Sequence, residues 1–457
     1  MRHHWLWLQA HDLSVEMEQA RDEGKDLPAD LERRMRALTA KGDEYLSTPE
    51  GQAEAGALLD ETAVLPVRKD YPHVEPSGLE AIRAQQPEAV ALPAWEGSGE
   101  ALREKIHGAW LGRAYGCYLG KPVEGVKRLA GEKFILENFL GETGQWPLRG
   151  HFSLDYPEEM LARFNLRKGW GAGPPFMPED DDTNYTTVGL ALAERKGSAF
   201  TPDDVADFWL ENIPILHVCT AERVAYRNFC INIRPPQSAS YRNPYREWIG
   251  AQIRADFWGY AAPANPELAA EYAWRDACIS QVKNGIYGEM WVAAMLAAAY
   301  VVSDIETIIR AGLAQIPARC RLSEAIGDVL SWRASGRTYE DAVGAIDGRW
   351  DENNGHHWCH TISNAQIVAT ALLWSEGDYA TAISRAVLPG FDTDCNGATV
   401  GSVMGMILGG SGLPKELVGR LNDRIRTGVQ GYLDCSIGEM ARRMAGVVER
   451  SSRFHDR

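Results

Sequence analysis

Apolar residues recur along most of this chain at the three- and four-residue spacing of an α-helix, whereas alternating β-branched runs are few. No segment repeats at a period of 20–50 residues. The pattern therefore predicts an all-α protein without an internal repeat. The clearest helical segments span residues 186–196, 265–283, 289–303, 363–374 and 396–409.

Two further segments place a glycine at every fourth position. Residues four apart lie on one face of a helix, and a glycine in a helix interior costs about 1 kcal/mol relative to alanine. Such a stripe is favoured where another backbone must come close, so we predict two tightly packed central helices; glycine-rich loops are the alternative. The stripes are Gly108, Gly112, Gly116 and Gly120 in the first segment and Gly397, Gly401, Gly405 and Gly409 in the second.

The first 90 residues differ from the rest because they are charged, rich in helix formers and poor in large apolar side chains. They predict exposed helices, the second of which opens at Pro28. Residues 73–100 carry proline and glycine and are typical of a connector. We therefore divide the chain into an N-terminal helical extension with its connector, residues 1–98, and a compact helical domain, residues 99–457.

Composition narrows the choice of partners. With 45% apolar and 24% charged residues the 457-residue chain has ample core material, and its net charge of −16 argues against nucleic acid as a partner. The most apolar stretch, residues 291–302, is about half of a membrane span and predicts a buried helix. Eight scattered cysteines without a C-x-x-C pair, and no signal peptide, favour a cytoplasmic protein with reduced thiols and no membrane partner.

Two carboxylate clusters precede helix-like segments. The first contains Asp180, Asp181 and Asp182 after Glu179, and the second contains Asp392 and Asp394 just before the second glycine stripe. Capping explains one aspartate at each helix start, but it does not explain three plus two. Carboxylates are the ligands of hard divalent cations, and five exceed the needs of one Mg²⁺. The clusters therefore favour a site for Mg²⁺ with room for two ions, and its candidate ligands are Asp180, Asp181, Asp182, Asp392 and Asp394.

Three segments in this order resemble the signatures of the ADP-ribosylglycohydrolase family: KIHGAWLGRAYGCYLGKPVEG, EDDDTNYT and GFDTDCNGATVGSVMGMILGG. A fourth, GAQIRADFWG at 250–259, resembles the middle segment of the family. The resemblance covers about residues 101–445. It implies an all-α fold around a two-metal Mg²⁺ or Mn²⁺ site that releases ADP-ribose from a partner.

The resemblance also implies roles for single residues. Asp181 and Asp182 match one metal-binding pair, and Asp392 and Asp394 match the other. Glu124 matches an acidic residue near the metals and the scissile bond, so Glu124 and Asp182 are the expected catalytic residues. Gly250 and Arg254 match the segment on the ribose side. The full expected substrate-binding set is Gly250, Arg254, Tyr245, Trp248 and Asn396.

The chain departs from the family pattern at four positions. Asp180 stands where the family has threonine or serine, and Cys395 stands where it has a ligating threonine. Cys117 replaces an aspartate of many members, and Ile249 replaces an asparagine. Because Mg²⁺ prefers hard oxygen ligands to a thiol, we predict that Asp180 is a ligand and that Cys395 is not.

Two other segments could carry chemistry. Residues 235–248 are rich in tyrosine, arginine and proline, and are either a surface loop or a lid in which Tyr245 or Trp248 stacks on a base while Arg242 or Arg246 meets phosphate. The second segment, residues 356–360, could bind zinc or copper, pack in a loop, or line the active site. Its candidate ligands are His356, His357, Cys359 and His360.

The sequence thus predicts a metal-dependent glycosidase of an ADP-ribosyl or related ribosyl substrate. One alternative keeps the chemistry but takes a ribosylated small molecule or nucleoside. Another is a non-catalytic ligand-binding protein on the same fold. A helical prenyl synthase also uses acidic clusters, but Arg426 stands where the second motif of such an enzyme needs a hydroxyl.

Overall fold

A computed structural model of the chain describes residues 5–126, 135–166 and 173–455. In these residues the regular secondary structure is helical except for two short strands, which confirms the all-α prediction. A small antiparallel sheet pairs β1 (Arg424–Arg426) with β2 (Asp434–Ser436). No described helix is both long and apolar enough to cross a bilayer.

Short 3₁₀ helices cover Lys121–Val123, Gly197–Ala199, Ile215–His217, Gln252–Arg254, His357–Cys359, Gly410–Gly412 and Gly419–Leu421. The α-helices are α1 (Ala10–Asp22), α2 (Ala29–Thr39), α3 (Gly42–Leu46), α4 (Pro49–Ala63), α5 (Leu79–Arg83), α6 (Gly99–Gly120), α7 (Ile135–Glu142), α8 (Glu158–Arg163), α9 (Asp181–Lys196), α10 (Pro202–Asn212), α11 (Thr220–Cys230), α12 (Gln237–Ser240), α13 (Asp256–Tyr260), α14 (Pro266–Ala277), α15 (Asn284–Ala298), α16 (Ile305–Leu313), α17 (Arg321–Ala334), α18 (Tyr339–Arg349), α19 (Thr361–Leu373), α20 (Tyr379–Val387), α21 (Thr393–Leu408), α22 (Lys415–Val418) and α23 (Ile437–His455).

Helices α6 and α21 form the centre of the domain and pack along their glycine stripes. A Cβ atom on Gly108 would lie 2.3 Å from the carbonyl oxygen of Gly405, and one on Gly116 would lie 2.0 Å from that of Gly397. Both distances are shorter than any carbon–oxygen contact a side chain can make. The prediction of two closely packed central helices is therefore confirmed.

The N-terminal extension has a small apolar core of its own, and α1 also packs on the main domain. The prediction of exposed helices is wrong for α1, because Asp12, Glu16 and Gln19 are buried. Their partners on the main domain lie more than 200 residues away, so local composition did not reveal them. The division of the chain at residue 98 stays a prediction. The apolar cluster of the extension contains Leu8, Leu13, Met17, Leu31, Met35, Leu38, Leu46, Ala55, Leu58 and Leu59.

Two of the predicted helical segments have different ends. The segment 265–283 is helical only to Ala277, and the chain then turns before α15 begins at Asn284. Lys283, just before α15, has a φ of +46°, which a continuous helix cannot contain. The segment predicted at 289–303 belongs to α15, which begins five residues earlier and ends at Ala298.

Candidate metal and catalytic site

The first carboxylate cluster lies at the N-terminus of α9. Asp180 is the N-cap in extended conformation, and its Oδ1 accepts the backbone N–H of Asp182 at 3.0 Å. Asp182 is fully buried, whereas Asp181 is half-buried. The cap uses one oxygen of Asp180 and leaves Oδ2 for other partners.

The second cluster lies at the N-terminus of α21. Asp392 makes no side-chain cap, and its backbone N–H donates to Asn364 Oδ1 at 3.1 Å. Phe391, the residue before it, has a φ of +60°, a conformation that costs energy for a residue with a side chain and is found most often at functional sites. The carboxylates of this cluster are thus directed by the turn and by Asn364.

The structure brings the two clusters together. Ligand atoms of Asp180, Asp182, Asp394 and Cys117 all lie within 4.8 Å of one another, and so do those of Asp392, Asp394 and Cys395. Asp394 belongs to both groups, so it links the N-termini of α9 and α21.

Two cations hold this arrangement. The ammonium of Lys121 lies 2.8 Å from Asp180 Oδ2 and 2.8 Å from Asp394 Oδ2, and 3.1 Å from Glu124. Arg113 is fully buried and contacts Asp182 Oδ1 at 3.1 Å and Asp256 Oδ2 at 2.7 Å. Neither cation was singled out from the sequence. Arg113 could have been recognised because it is a charged residue within the glycine stripe of α6.

Carboxylates crowded in this way keep their protons more strongly. Burial, together with the charges of neighbouring aspartates, raises the pKa of Asp181, Asp182 and Asp392 well above the usual value. The Asp394 carboxylate and burial raise the pKa of Glu124 to about 7. Asp180 is the exception: burial alone would raise its pKa, but Lys121 and the Asp182 N–H lower it.

The donor atoms fit a hard divalent cation. Most are carboxylate oxygens, and Asp394 Oδ1 has no hydrogen-bond partner in the described part of the chain although Asp394 is only 2% exposed. Burial raises the pKa of the Cys117 and Cys395 thiols well above the usual value. Protonated thiols are poor ligands, so oxygen dominates the ligand set.

The family model for ADP-ribosylglycohydrolase matches residues 98–453. The chain belongs to the ADP-ribosylglycohydrolase family. Among solved structures, one described as an "ADP-ribosylglycohydrolase-related protein complex" is 18% identical, covers 77% of this chain and 99% of that chain, and superimposes with a TM-score of 0.43. No curated protein sequence matches.

In this ADP-ribosylglycohydrolase domain, the five residues expected to bind substrate are all buried. A Cβ atom on Gly250 would lie 2.2 Å from Glu222 Oε1, so the glycine makes room for that carboxylate. Arg254, 1% exposed, donates to Glu222 Oε1 at 2.5 Å and to Asp276 Oδ2 at 2.6 Å. Asn396 is also fully buried and donates to Asn364. Arg254 and Asn396 thus hold neighbouring side chains, and a role of the five residues in substrate binding stays a prediction.

The lid interpretation of the segment 235–248 fails for residues 243–248, which are buried. Tyr245 is 3% exposed and donates to Asp12 of α1, and Trp248 is 1% exposed and donates to His356 Nδ1 at 2.9 Å. Arg246 pairs with two glutamates of the extension. Residues 243–248 therefore lie under the N-terminal extension and bind it, whereas Pro236, Gln237 and Ser240 of the same segment are exposed.

The histidine segment also binds the extension. His356 Nε2 lies 3.0 Å and His360 Nε2 3.8 Å from Asp22 Oδ2. His356 Nδ1 accepts the Trp248 N–H, and His360 Nδ1 accepts the Ile362 N–H at 3.1 Å. A neutral imidazole with an accepting Nδ1 carries its proton on Nε2. Both rings therefore direct N–H groups at the carboxylate, an arrangement that opposes zinc binding and agrees with the packing alternative.

Proposed function

We propose that this member of the family is a divalent-metal-dependent glycosidase that hydrolyses the bond between the anomeric carbon of an ADP-ribosyl, or related ribosyl, group and its leaving group. One observation carries the proposal: buried carboxylates from two helix starts converge, and Asp394 Oδ1 among them has no hydrogen-bond partner in the described residues. Buried carboxylates without partners are costly unless a cation compensates them.

The residues that would hold the cations are Asp180, Asp181 and Asp182 of one cluster and Asp392 and Asp394 of the other. Two Mg²⁺ or Mn²⁺ ions bound there would supply Lewis acidity and anchor the ribose hydroxyls. Arg113 fixes Asp182 through one ion pair and is itself held by a second ion pair with Asp256. This ligand is thus held in place by a buried residue that does not contact solvent.

Glu124 is the proposed acid and base. Its side chain is 34% exposed, at the edge of the cluster, and its pKa of about 7 allows it to hold or release a proton near neutral pH. In the forward direction it donates its proton to the leaving-group atom as the glycosidic bond breaks; a water molecule then attacks the anomeric carbon and gives a proton back to Glu124, which acts as the base. The carboxylates around it stabilise the positive charge that develops on the ribose ring. A purely ligating role for Glu124 is the alternative.

One observation favours a smaller substrate as a second candidate. The aromatic residues expected to stack on an adenine, Tyr245 and Trp248, are covered by the extension. This segment therefore offers no stacking surface for an adenine base, and a ribosylated small molecule without a base needs none. The same carboxylates and the same acid would act on either substrate.

The test is hydrolysis of a substrate panel by the full chain with Mg²⁺ or Mn²⁺. The panel contains an ADP-ribosylated arginine peptide, ADP-ribosylated small molecules and simple nucleosides, with release of the sugar followed by chromatography. We expect turnover of at least one ribosyl substrate that a chelator abolishes. Metal binding with no turnover of any substrate would favour the non-catalytic alternative.

The variant Glu124→Gln separates catalysis from binding. It should lower kcat by at least about 10²-fold, the scale of a lost acid or base, while the KM and the metal affinity stay close to those of the unmodified chain. Glu158→Gln is the matched control, because Glu158 is exposed at the start of α8 and outside the site. Near-normal turnover by Glu124→Gln would remove this residue from the mechanism.

A further inference from the structure

Lys121 lies between the two carboxylate clusters, and the backbone beside it is held in place by packing and hydrogen bonding. It directly follows α6, and its backbone neighbour Gly120 packs on α21: a Cβ on Gly120 would lie 2.2 Å from the Thr393 carbonyl oxygen. Thr393 Oγ1 also donates to the Gly120 carbonyl oxygen at 2.9 Å. Lys121 therefore starts from a fixed point beside the second cluster.

From that point the ammonium reaches both clusters. It lies 2.8 Å from Asp180 Oδ2 of the first cluster and 2.8 Å from Asp394 Oδ2 of the second. The lysine side chain is 30% exposed, while those of Asp180 and Asp394 are 0% and 3% exposed. The ammonium of Lys121 is thus the partly exposed member of this group, and the two carboxylate oxygens that it contacts are buried.

The same two oxygens are among the proposed metal ligands. A carboxylate oxygen binds Mg²⁺ at 2.0–2.1 Å, and two cations sharing one oxygen repel each other strongly where water is scarce. A divalent ion that uses Asp180 Oδ2 and Asp394 Oδ2 must therefore displace the ammonium. Asp394 Oδ1, which Lys121 does not contact at hydrogen-bond distance, remains available without that displacement.

We propose that Lys121 is a specificity-determining residue of the metal site, whose ammonium competes with one of the two divalent ions. The proposal rests on the proposed function for the existence of the metal site. It predicts that the first ion binds tightly and that the second binds weakly, because only the second must displace Lys121. The lysine thereby makes occupancy of the second position depend on the concentration of the metal ion.

Calorimetric titration of Mn²⁺ into the metal-free full chain tests this. We expect two binding steps whose Kd values differ by at least about 10-fold in the unmodified chain. Lys121→Met should tighten the weaker step by at least about 10-fold, and Lys121→Gln should do the same. Lys121→Arg, which keeps the charge, should preserve the unequal steps. Lys69→Met removes an exposed lysine far from the site and is the matched control.

Electron paramagnetic resonance of Mn²⁺ gives a second readout that does not depend on turnover. A coupled two-ion spectrum should appear at a lower Mn²⁺ concentration in Lys121→Met than in the unmodified chain. Two equal binding steps in the unmodified chain, or an unchanged weaker step in both neutral variants, would overturn the role of Lys121 and leave the glycosidase proposal intact. Absence of any Mn²⁺ binding to the unmodified chain would instead overturn the metal site and both proposals.

Discussion

The chain buries carboxylates in two regions, and it treats them in opposite ways. Where α1 of the extension docks, Asp12 meets Arg223 at 2.9 Å, and Arg246 meets both Glu16 at 2.6 Å and Glu23 at 2.8 Å. In the proposed metal site, four carboxylates share two cations: Lys121 contacts Asp180, Asp394 and Glu124, and Arg113 contacts Asp182. The first region is close to neutral, and the second carries excess negative charge.

The pKa values follow this difference. At the docking interface burial would raise the pKa of Glu23, but Arg246 lowers it from 4.5 to about 2. In the metal site burial and neighbouring aspartates raise the pKa of Asp182 despite its contact with Arg113. Charges that are paired within the chain serve to join the two parts of the protein. Carboxylates without such a pair are available to a bound cation.

The largest expected effect comes from breaking the paired region. Arg246→Met leaves Glu16 and Glu23 buried without their main partner. Removing one member of a buried ion pair lowers the free energy of unfolding by about 3–5 kcal/mol. Urea denaturation followed by circular dichroism measures the loss, and we expect the extension to separate first as an early transition. The neighbouring Arg242→Met is the control, since its partner Asp60 is half exposed and such a pair contributes at most about 1 kcal/mol. Equal losses in the two variants would contradict the comparison.

The second largest effect concerns the proposed metal site. Asp182→Asn and Asp394→Asn each remove a proposed ligand and one charge, so each should weaken Mn²⁺ binding at least about 10²-fold while the helical circular dichroism stays nearly unchanged. Calorimetry measures the affinity, with the exposed Asp155→Asn as control. Unaltered Mg²⁺ and Mn²⁺ binding in both site variants would mean that the site is misplaced.

The local parts of this picture could be predicted from the sequence. The glycine stripes predicted the central helix pair because residues four apart lie on one face of a helix. The acidic runs around Asp181 and Asp394 predicted two helix starts, because an aspartate there caps the helix. They also predicted a metal site, because they contain more acidic residues than capping needs. Each of these signals lies within about 20 residues of sequence.

The partners of these groups could not be predicted, because they lie far away in the sequence. Arg113 and Asp182 are 69 residues apart, and Arg246 and Glu16 are 230 apart. Nothing in the local pattern of Tyr245 or Arg254 distinguishes an arginine or aromatic residue that binds a ligand from one that binds another segment of the chain. That distinction depends on which surfaces the fold covers, and here it covers residues 243–248 with the N-terminal extension.

The dependence of stability on pH should distinguish the two regions by sign. Because the pKa of Glu23 falls from 4.5 to about 2 on folding, its contribution is complete above pH 4.5 and is lost as the pH falls toward 2. Because the pKa of Asp181 and Asp182 is raised on folding, the folded chain binds extra protons, and stability falls as the pH rises above the usual aspartate value.

Urea denaturation of the metal-free chain from pH 8 to 3 should therefore give a maximum of the unfolding free energy on the acidic side of neutrality. Saturating Mn²⁺ should remove the decline on the alkaline side, because the ion stabilises the ionised carboxylates. Glu23→Gln should weaken the decline on the acidic side only. A stability curve that is flat from pH 5 to 8 without metal would contradict the assignment of excess charge to the site.

The smallest expected effect concerns Asp180 and Cys395, the two positions where this chain departs from the family at its metal ligands. Asp180 Oδ1 is used by the cap of α9, so only Oδ2 remains for a cation. Asp180→Asn keeps an oxygen for the cap but removes the charge, and should weaken Mn²⁺ binding by about 10-fold. The Cys395 thiol is buried and its pKa is raised, so Cys395→Ser should leave metal affinity and turnover within a few-fold. A tolerant Asp180 with an essential Cys395 would indicate a softer metal such as Zn²⁺, because only a soft ion prefers a thiolate to the carboxylates beside it.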